Sequence, residues 1–386
     1  MRVLDANSLS RQAARIGLEV AGVAAGAVDR DARFPTEAFE AMREECLLSV
    51  LIPSELGGSG LSIGQVGDIV FELGRHCAST AMVFAMHQIQ VASIVRHGRS
   101  TFFRDYLAEV ADRQLLLASA TTEMGVGGDV RTSVCTVERV GADEIRLEKM
   151  APVISYGEHA DAILATARRT PESPPNDQVL VLCRPPGLVL EAISGWDTLG
   201  FRGTCSLGFR LVAQGGTELI LADSYGDISS RTMLPVSHIL WSSVWLGLAT
   251  SAVDKARQFV RAEARKKPGV TPPSALRLAE LIGQLQRMEE LVRGTARRYD
   301  EVCDDLEALE SMGFAITMNS LKVSSSTLVV DIVNRAMTIC GMAGYREDSP
   351  FSLGRILRDA HGAAVMVNND RINSNTAQML LIYKDD

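Results

Sequence analysis

The sequence predicts an α+β protein whose helices and strands are segregated along the chain, helical at both ends and β in the middle. Three observations predict it: apolar residues at helical spacing through about residue 115, short β-type runs from about 116 to 225, and long striped helices in the remainder. The domains expected are therefore 1–115 (α-helical), 116–225 (β barrel or sandwich) and 226–386 (helical bundle). Strands that alternated with helices would argue a doubly wound nucleotide fold, which this order disfavours.

In the first unit, "IPSELGGSG" interrupts the helical pattern with Pro and Gly. "ASTAMVFAMHQIQVASIVRHG" then sets Ala81, Phe84, Ala85, Gln88 and Ile89 along helical faces with so little charge that the helix belongs in the interior. Ser79 and Thr80 are its expected N-caps, since either hydroxyl can accept from a free first-turn N–H. In the second unit "VCTVERV", "DAILATARR", "DQVLVLCRP" and "SLGFRLV" read as strands, and the polar, Pro-rich "TPESPPND" as an exposed hairpin loop. In the third, Leu281, Leu285, Met288, Val292, Tyr299 and Val302 recur at three- and four-residue steps. A second helix repeats the stripe through Phe314, Met318, Leu321, Leu328, Ile332 and Ile339, and paired antiparallel helices of this kind make a bundle.

The 386 residues, 46% hydrophobic and 22% charged, suffice for two or three packed units and for burying a large cofactor. A net charge of -8 argues against a nucleic-acid partner, and the one locally basic run, "RAEARKK", reads as a solvated helix end or a dock for an anionic phosphate. Seven scattered cysteines without paired spacing fit a reducing cytoplasm with no disulfide and no zinc. The six histidines have no metal-ligand spacing, and no HExxH or GxSxG occurs. "IGLEVAGVAAGAV" superficially resembles a signal segment, but Glu19 interrupts it and no cleavage site follows; nothing else approaches a membrane span. "ELGGSGLSIG" and "GVGGDV" match neither glycine-rich phosphate loop and read as turns.

Four segments, in order, resemble the acyl-CoA dehydrogenase superfamily. "IPSELGGSGLS" is similar to its Pro-x-x-x-Gly-Gly-x-Gly turn, and "ATTEMGVGGDV" to its Thr-Glu-Pro-Gly-x-Gly-Ser-Asp segment. "WDTLGFRGTCS" is similar to Trp-x-x-x-Gly-x-Arg-Gly-Ser/Thr, and "CGMAGY" with "LRDA" to the closing Gly-Gly-x-Gly-Tyr and Arg-Asp-Ala. The resemblance implies a helical domain, a β domain and a C-terminal four-helix bundle, with one FAD per subunit. It also implies a homotetramer or homodimer, or a heteromeric assembly, in which the bundle helps hold the neighbour's cofactor. Thr122 would offer a hydroxyl where a reduced flavin gathers negative charge, Ser119 and Thr121 would flank the ring, and Ser155 would lie near N5. For both hydroxyls, ordinary hydrogen bonding at a strand end is the plainer account. Arg265 would reach the pyrophosphate, Thr338 and Gly341 the adenine side, and Asn369 is counted with the cofactor contacts.

The pattern breaks at the base. A thioester α-proton is so weakly acidic that the family positions a carboxylate against it. Here the carboxylate position falls on Val367 or Ser374, and the alternative one near Ser237. Asp370 remains as a substitute base or as a solvated turn residue, and Glu123 reads as structural. Gly128, His238 and Val367 occupy substrate-binding positions, the first two in place of a Ser and an Arg. Two reactions follow: desaturation of an acyl-CoA or acyl-carrier thioester, ranked first, and flavin-dependent monooxygenation. For the second, His87 would face the flavin and pass a proton, unless it is simply a satisfied core residue. A non-catalytic subunit of a heteromeric dehydrogenase is the third reading.

Overall fold

The computed structural model describes residues 5–126 and 131–384. The chain opens with helices α1 (Ala6–Ile16), α2 (Gly22–Arg30), α3 (Thr36–Glu44), α4 (Ile63–Gly74), α5 (Ala78–His97) and α6 (Thr101–Arg113). The glycine turn before α4 is set by close approach: a Cβ on Gly58 would fall 2.0 Å from the Ile52 carbonyl oxygen, so no other residue fits. α4 then starts on a capping box, in which the Ser62 hydroxyl accepts from Gln65 N–H and the Gln65 side chain accepts from Ser62 N–H.

α5 is buried along nearly its whole length, as its lack of charge predicts. Its start differs from expectation. Cys77 is the N-cap residue and makes no side-chain cap bond, while Ser79 and Thr80 lie buried inside the helix. Burial of Ala78, Ala81 and Met82 extends the helix past the hydroxyl signal, because packing outweighs one cap.

The strands are β1 (Leu117–Ala120), β2 (Glu138–Arg139), β3 (Glu144–Ala151), β4 (Ala162–Arg168), β5 (Gln178–Cys183), β6 (Leu188–Ser194) and β7 (Gly208–Gly216). They form a three-stranded sheet in the order β1-β4-β5 and a four-stranded antiparallel sheet in the order β2-β3-β7-β6. β3 buries Ile145, Leu147, Lys149 and Ala151 at every second position, so one of its faces is internal. β4 and β5 are covered on both faces and read accordingly as unbroken apolar runs. The run "VCTVERV" yields only the two-residue β2. The backbone N–H of Cys135 and the hydroxyl of Ser133 go to the buried Glu123 carboxylate instead of a ladder. Lys149 Nζ pairs with that carboxylate at 3.1 Å, so Glu123 is part of the fold's interior.

Helices return with α7 (Tyr225–Ile228), which continues through a π-helical turn into α8 (Leu234–Lys266), followed by α9 (Ser274–Val302), α10 (Leu306–Glu310), α11 (Met312–Cys340), α12 (Met342–Tyr345), α13 (Gly354–Val365) and α14 (Asn369–Leu380). α8, α9 and α11 pack on one another through the predicted stripes, and α13 packs against α11 and α8. Against the expectation that nothing approaches a span, Ala78–His97 and Tyr225–Lys266 are long and apolar enough to cross a membrane by length and composition. Their apolar windows are 89% and 83% buried inside the protein, so internal packing already accounts for both.

Two motif segments meet at Gly200. A Cβ there would fall 2.3 Å from the Arg358 carbonyl oxygen, and the next residue, Phe201, donates its N–H to the Asp359 carboxylate at 2.7 Å. Burial pushes the Asp359 carboxyl up to about 6. This junction brings α13 against the loop before β7 and so closes one end of the site.

Candidate active site

Residues of the β domain and of α5, α8 and α13 enclose a cavity of about 760 Å³. Ser119, Thr121, Thr122 and Ser155 all line it, although they come from the end of β1, the loop beyond it and the loop beyond β3. The Ser155 loop is held by backbone bonds on either side, from Ile154 N–H to the Leu207 carbonyl at 2.8 Å and from Tyr156 N–H to the Thr204 carbonyl at 2.7 Å. Those bonds set Ser155 beside Ser206, and the buried Tyr156 hydroxyl ties the loop to the Leu117 carbonyl of β1 at 2.9 Å.

A chain of hydroxyls follows. Ser155 Oγ lies 2.8 Å from Ser206 Oγ, which lies 2.8 Å from Thr204 Oγ1, which donates to the Phe201 carbonyl at 2.9 Å. Each hydroxyl has one hydrogen. Because Thr204 gives its hydrogen to a carbonyl, Ser206 must donate to Thr204, and Ser155 must donate to Ser206. Ser155 is thereby left as an acceptor towards the cavity. Thr122 likewise donates to the Val153 carbonyl at 3.2 Å.

The helical wall is mostly apolar, with Met82, Met86 and Ile89 on α5 and Leu234 on α8. Its polar members are Gln90 on α5, Ser237, His238 and Trp241 on α8, Tyr225 and Ser229 just before it, and Arg358 and His361 on α13. His238 is buried, its Nδ1 lies 3.0 Å from the Met318 carbonyl of α11, and burial lowers it to about 4, so it is a neutral ring. Among the described residues lining the cavity there is no aspartate or glutamate.

Several expected residues lie elsewhere. His87 does not line the cavity: its Nε2 lies 2.7 Å from the Leu48 carbonyl, and its Nδ1 accepts the Leu117 N–H at 3.0 Å. Both ring nitrogens are used by backbone, and burial lowers the ring to about 4, so the proton-passing role expected of it is corrected to a structural one. Asp370 is exposed in the first turn of α14, with its own N–H bonded to Asn368 Oδ1, and it does not line the cavity either. A cavity base therefore cannot be assigned to it from this geometry. Val367 does line the cavity, in a left-handed conformation at φ 51°. Its carbonyl and the Asn369 side-chain oxygen accept from Lys322 Nζ at 2.6 and 2.7 Å. Lys322 is fully buried, and burial lowers it to about 8.

Asn369 itself is outside the cavity wall, as are Arg265, Thr338 and Gly341. Arg265 is exposed near the end of α8, Thr338 is exposed and bonds the Asn334 carbonyl, and Gly341 ends α11 at φ 56°. Ser237 lines the cavity but donates to the Leu234 carbonyl, and Ser374 is exposed on α14. Gly128 lies outside the described residues. Gln90, Ser206, Trp241 and Lys322 were not foreseen. Trp241 had a legible signal, since it follows His238 by three positions and so shares its helical face.

Residues 8–114 match the acyl-CoA dehydrogenase N-terminal domain, and residues 228–373 match the acyl-CoA dehydrogenase C-terminal domain. The chain belongs to the acyl-CoA dehydrogenase family of flavoprotein oxidoreductases. It is 22% identical over 363 residues to cyclohex-1-ene-1-carbonyl-CoA dehydrogenase of Syntrophus aciditrophicus (strain SB), covering 92% of this chain and 84% of the relative. It is 26% identical over 352 residues to the probable FMNH2-dependent monooxygenase SfnC of Pseudomonas putida, covering 87% and 86%. The FMN-bound TdsC from Paenibacillus sp. A11-2 shares the fold at a TM-score of 0.85 and 19% identity, with 98% of each chain covered.

The residues present suit a flavin. A flat heteroaromatic ring with a polar edge needs apolar contacts on its faces and hydrogen-bonding groups along one side, and the methionine-rich helices and the hydroxyl wall supply them.

Proposed function

We propose that this protein is a flavin-dependent monooxygenase on the acyl-CoA dehydrogenase fold, acting on a largely apolar, ring-sized substrate. One observation carries the reading: no described cavity-lining residue is a carboxylate. Desaturation needs a base against the thioester α-proton. Val367, Ser374 and Ser237 offer none, and Asp370 is exposed on α14. His238, held near 4, is too weak a base for that proton. The desaturation ranked first on sequence therefore has less support than oxygenation.

When bound, the flavin supplies the activation of dioxygen. The chain's own residues bind, orient and exclude water. The apolar helical wall dries the chamber, and the hydroxyl wall holds the ring's polar edge. Ser155, left as an acceptor by the hydroxyl chain, would hold a donor on the ring's polar edge, such as a reduced flavin would present. The name of the SfnC relative, FMNH2-dependent, agrees with reduced flavin as the form taken up. If the flavin is FAD, we assign its distal half to Arg265, Thr338 and Gly341 of a neighbouring copy, in a cytoplasmic homotetramer or homodimer.

Two assays on the purified chain test this. With a separate flavin reductase, NADH and oxygen, an aromatic substrate should gain one oxygen atom; an acyl-CoA added without oxygen should leave the flavin colour unchanged. Bleaching by acyl-CoA would return the chain to the dehydrogenases. Isolation without flavin, and failure to take it up, would favour a non-catalytic subunit.

A further inference from the structure

Behind the chamber wall, three side chains from three elements stand in line. The Asp223 carboxylate, in the loop before α7, lies 2.7 Å from His97 Nδ1 at the end of α5, and His97 Nε2 lies 2.9 Å from Thr232 Oγ1 in the π-helical turn Ser229–Met233. A carboxylate accepts, so Nδ1 carries the hydrogen. Burial holds the ring below the usual histidine value and so keeps it neutral; Nε2 is then an acceptor, and the Thr232 hydroxyl donates to it. Arg99 donates to the same Asp223 oxygen at 3.2 Å and steadies the far end. Acid, imidazole and hydroxyl in this order can activate a nucleophile, but Thr232 is fully buried and none of the three lines the chamber, so they are not placed to attack a substrate.

The Thr232 hydroxyl is diverted from its ordinary helical partner. Thr250, Thr295 and Thr317, in regular helix, each donate to the carbonyl four residues back at 2.8 Å, whereas Thr232 gives its hydrogen to His97. The backbone around it is wider than an α-helix, with the Leu234 N–H reaching the Ser229 carbonyl five residues back. That turn carries Ser229 and Met233 into the chamber wall, where the Tyr225 hydroxyl meets the Met233 sulfur at 3.7 Å.

We propose that Asp223, His97 and Thr232 are positioning residues that hold the π-helical turn in the register presenting Ser229 and Met233 to the chamber, and thereby set which ring sizes it accepts. π-helical turns are rare and concentrate at functional sites. Here the bond to His97 ties the turn from outside its own helix. Losing it lets the segment settle towards the α-helical register, and a one-residue change of register swings Met233 about 100° around the helix axis. The inference rests on the reading of the chamber as a substrate site, but its test needs no turnover.

Two variants separate the hydroxyl from the packing: Thr232→Val keeps the shape and loses the donor, and Thr232→Ser keeps the donor and loses a methyl. The test is equilibrium binding of toluene and naphthalene to the flavin-loaded protein without reductant, followed by the change in flavin absorbance, with methyl-labelled methionine NMR of the same protein before either is added. Thr232→Val should change the naphthalene-to-toluene affinity ratio by at least about threefold and move the Met233 methyl resonance, assigned by Met233→Leu, whereas Thr232→Ser should keep both near native. Packing alone predicts the opposite order, since valine fills the site and serine leaves a hole. Asp223→Asn, which removes the carboxylate that fixes the ring hydrogen, should act as Thr232→Val does. It takes over if Thr232→Val does not fold, which circular dichroism melting and retained flavin establish. A native ratio in both Thr232→Val and Asp223→Asn, or a larger change in Thr232→Ser than in Thr232→Val, overturns the proposal. Failure of both hydrocarbons to bind the native protein refutes instead the substrate reading of the chamber and the ring-size half of the proposal, and the Met233 resonance then decides the hold on the turn.

Discussion

Two buried histidines sit on two buried helices, both lowered to about 4 by burial, yet they belong to different kinds of region. At the junction of α5 and β1, His87 bridges the Leu48 carbonyl and the Leu117 N–H with its two nitrogens, and so joins the first helical unit to the first strand. At the junction of α8 and α11, His238 uses one nitrogen on Met318, and its side chain is part of the chamber wall. Burial and titration do not separate them. The partners of the ring nitrogens do: two backbone groups make His87 a structural rivet, while His238 has one and lines the candidate site.

Breaking the rivet should have the largest effect. His87→Leu leaves the Leu117 N–H buried and unpaired and takes from the Leu48 carbonyl one of its two donors, the other being Gln88 Nε2, and should cost about 3 kcal/mol in urea denaturation, whereas His238→Phe should cost about half of that or less. Equal losses would erase the distinction. Acid should expose the likeness of the two. An ordinary histidine in the unfolded chain protonates near 6.5, and these rings resist until about 4. Their contribution is thus complete above about pH 6.5 and is lost as pH falls towards 4, roughly 3 kcal/mol for each. Asp359, held up at about 6, takes a proton in the folded state first and roughly cancels one of the two losses over the same range. These three groups together should cost the native protein about 3 kcal/mol between pH 7 and 4, His76, His97 and His159, also lowered by burial, add to the loss, and His238→Phe should show a flatter acid limb. Smaller still, Ser155→Ala should weaken reduced-flavin binding about tenfold and oxidised-flavin binding by less, seen in anaerobic titrations; the reverse order would mean the hydroxyl chain runs the other way. Smallest of all, Asp370→Asn should change turnover by less than about twofold, because an exposed carboxylate outside the chamber has nothing to exchange with substrate.

The architecture was legible because it is written in periodicity. The stripes of α9 and α11, the uncharged α5 and the unbroken runs of β4 and β5 each follow from which faces are covered. Within the site, Ser119, Thr121, Thr122 and Ser155 could be read because small hydroxyls in two separate motifs converge on one cavity. What could not be read depends on backbone groups distant in sequence. Nothing near His87 announces that Leu48 and Leu117 will meet it, and nothing in "VCTVERV" announces that Glu123 will draw its N–H groups out of a ladder. Lys322 was hidden in a similar way, a charge inside an apolar stripe that looks solvated until α13 and the Val367 turn cover it.

Lys322 also has a consequence for the shape of the chamber. Its ammonium is held by the neutral oxygens of Val367 and Asn369 and lies 5.8 Å from the centre of the Trp245 ring, and a cation's attraction to such partners is stronger in dry surroundings than in water. Because the side chain is fully buried, that attraction is at full strength before any guest arrives, and it pins the left-handed turn that puts Val367 on the chamber wall.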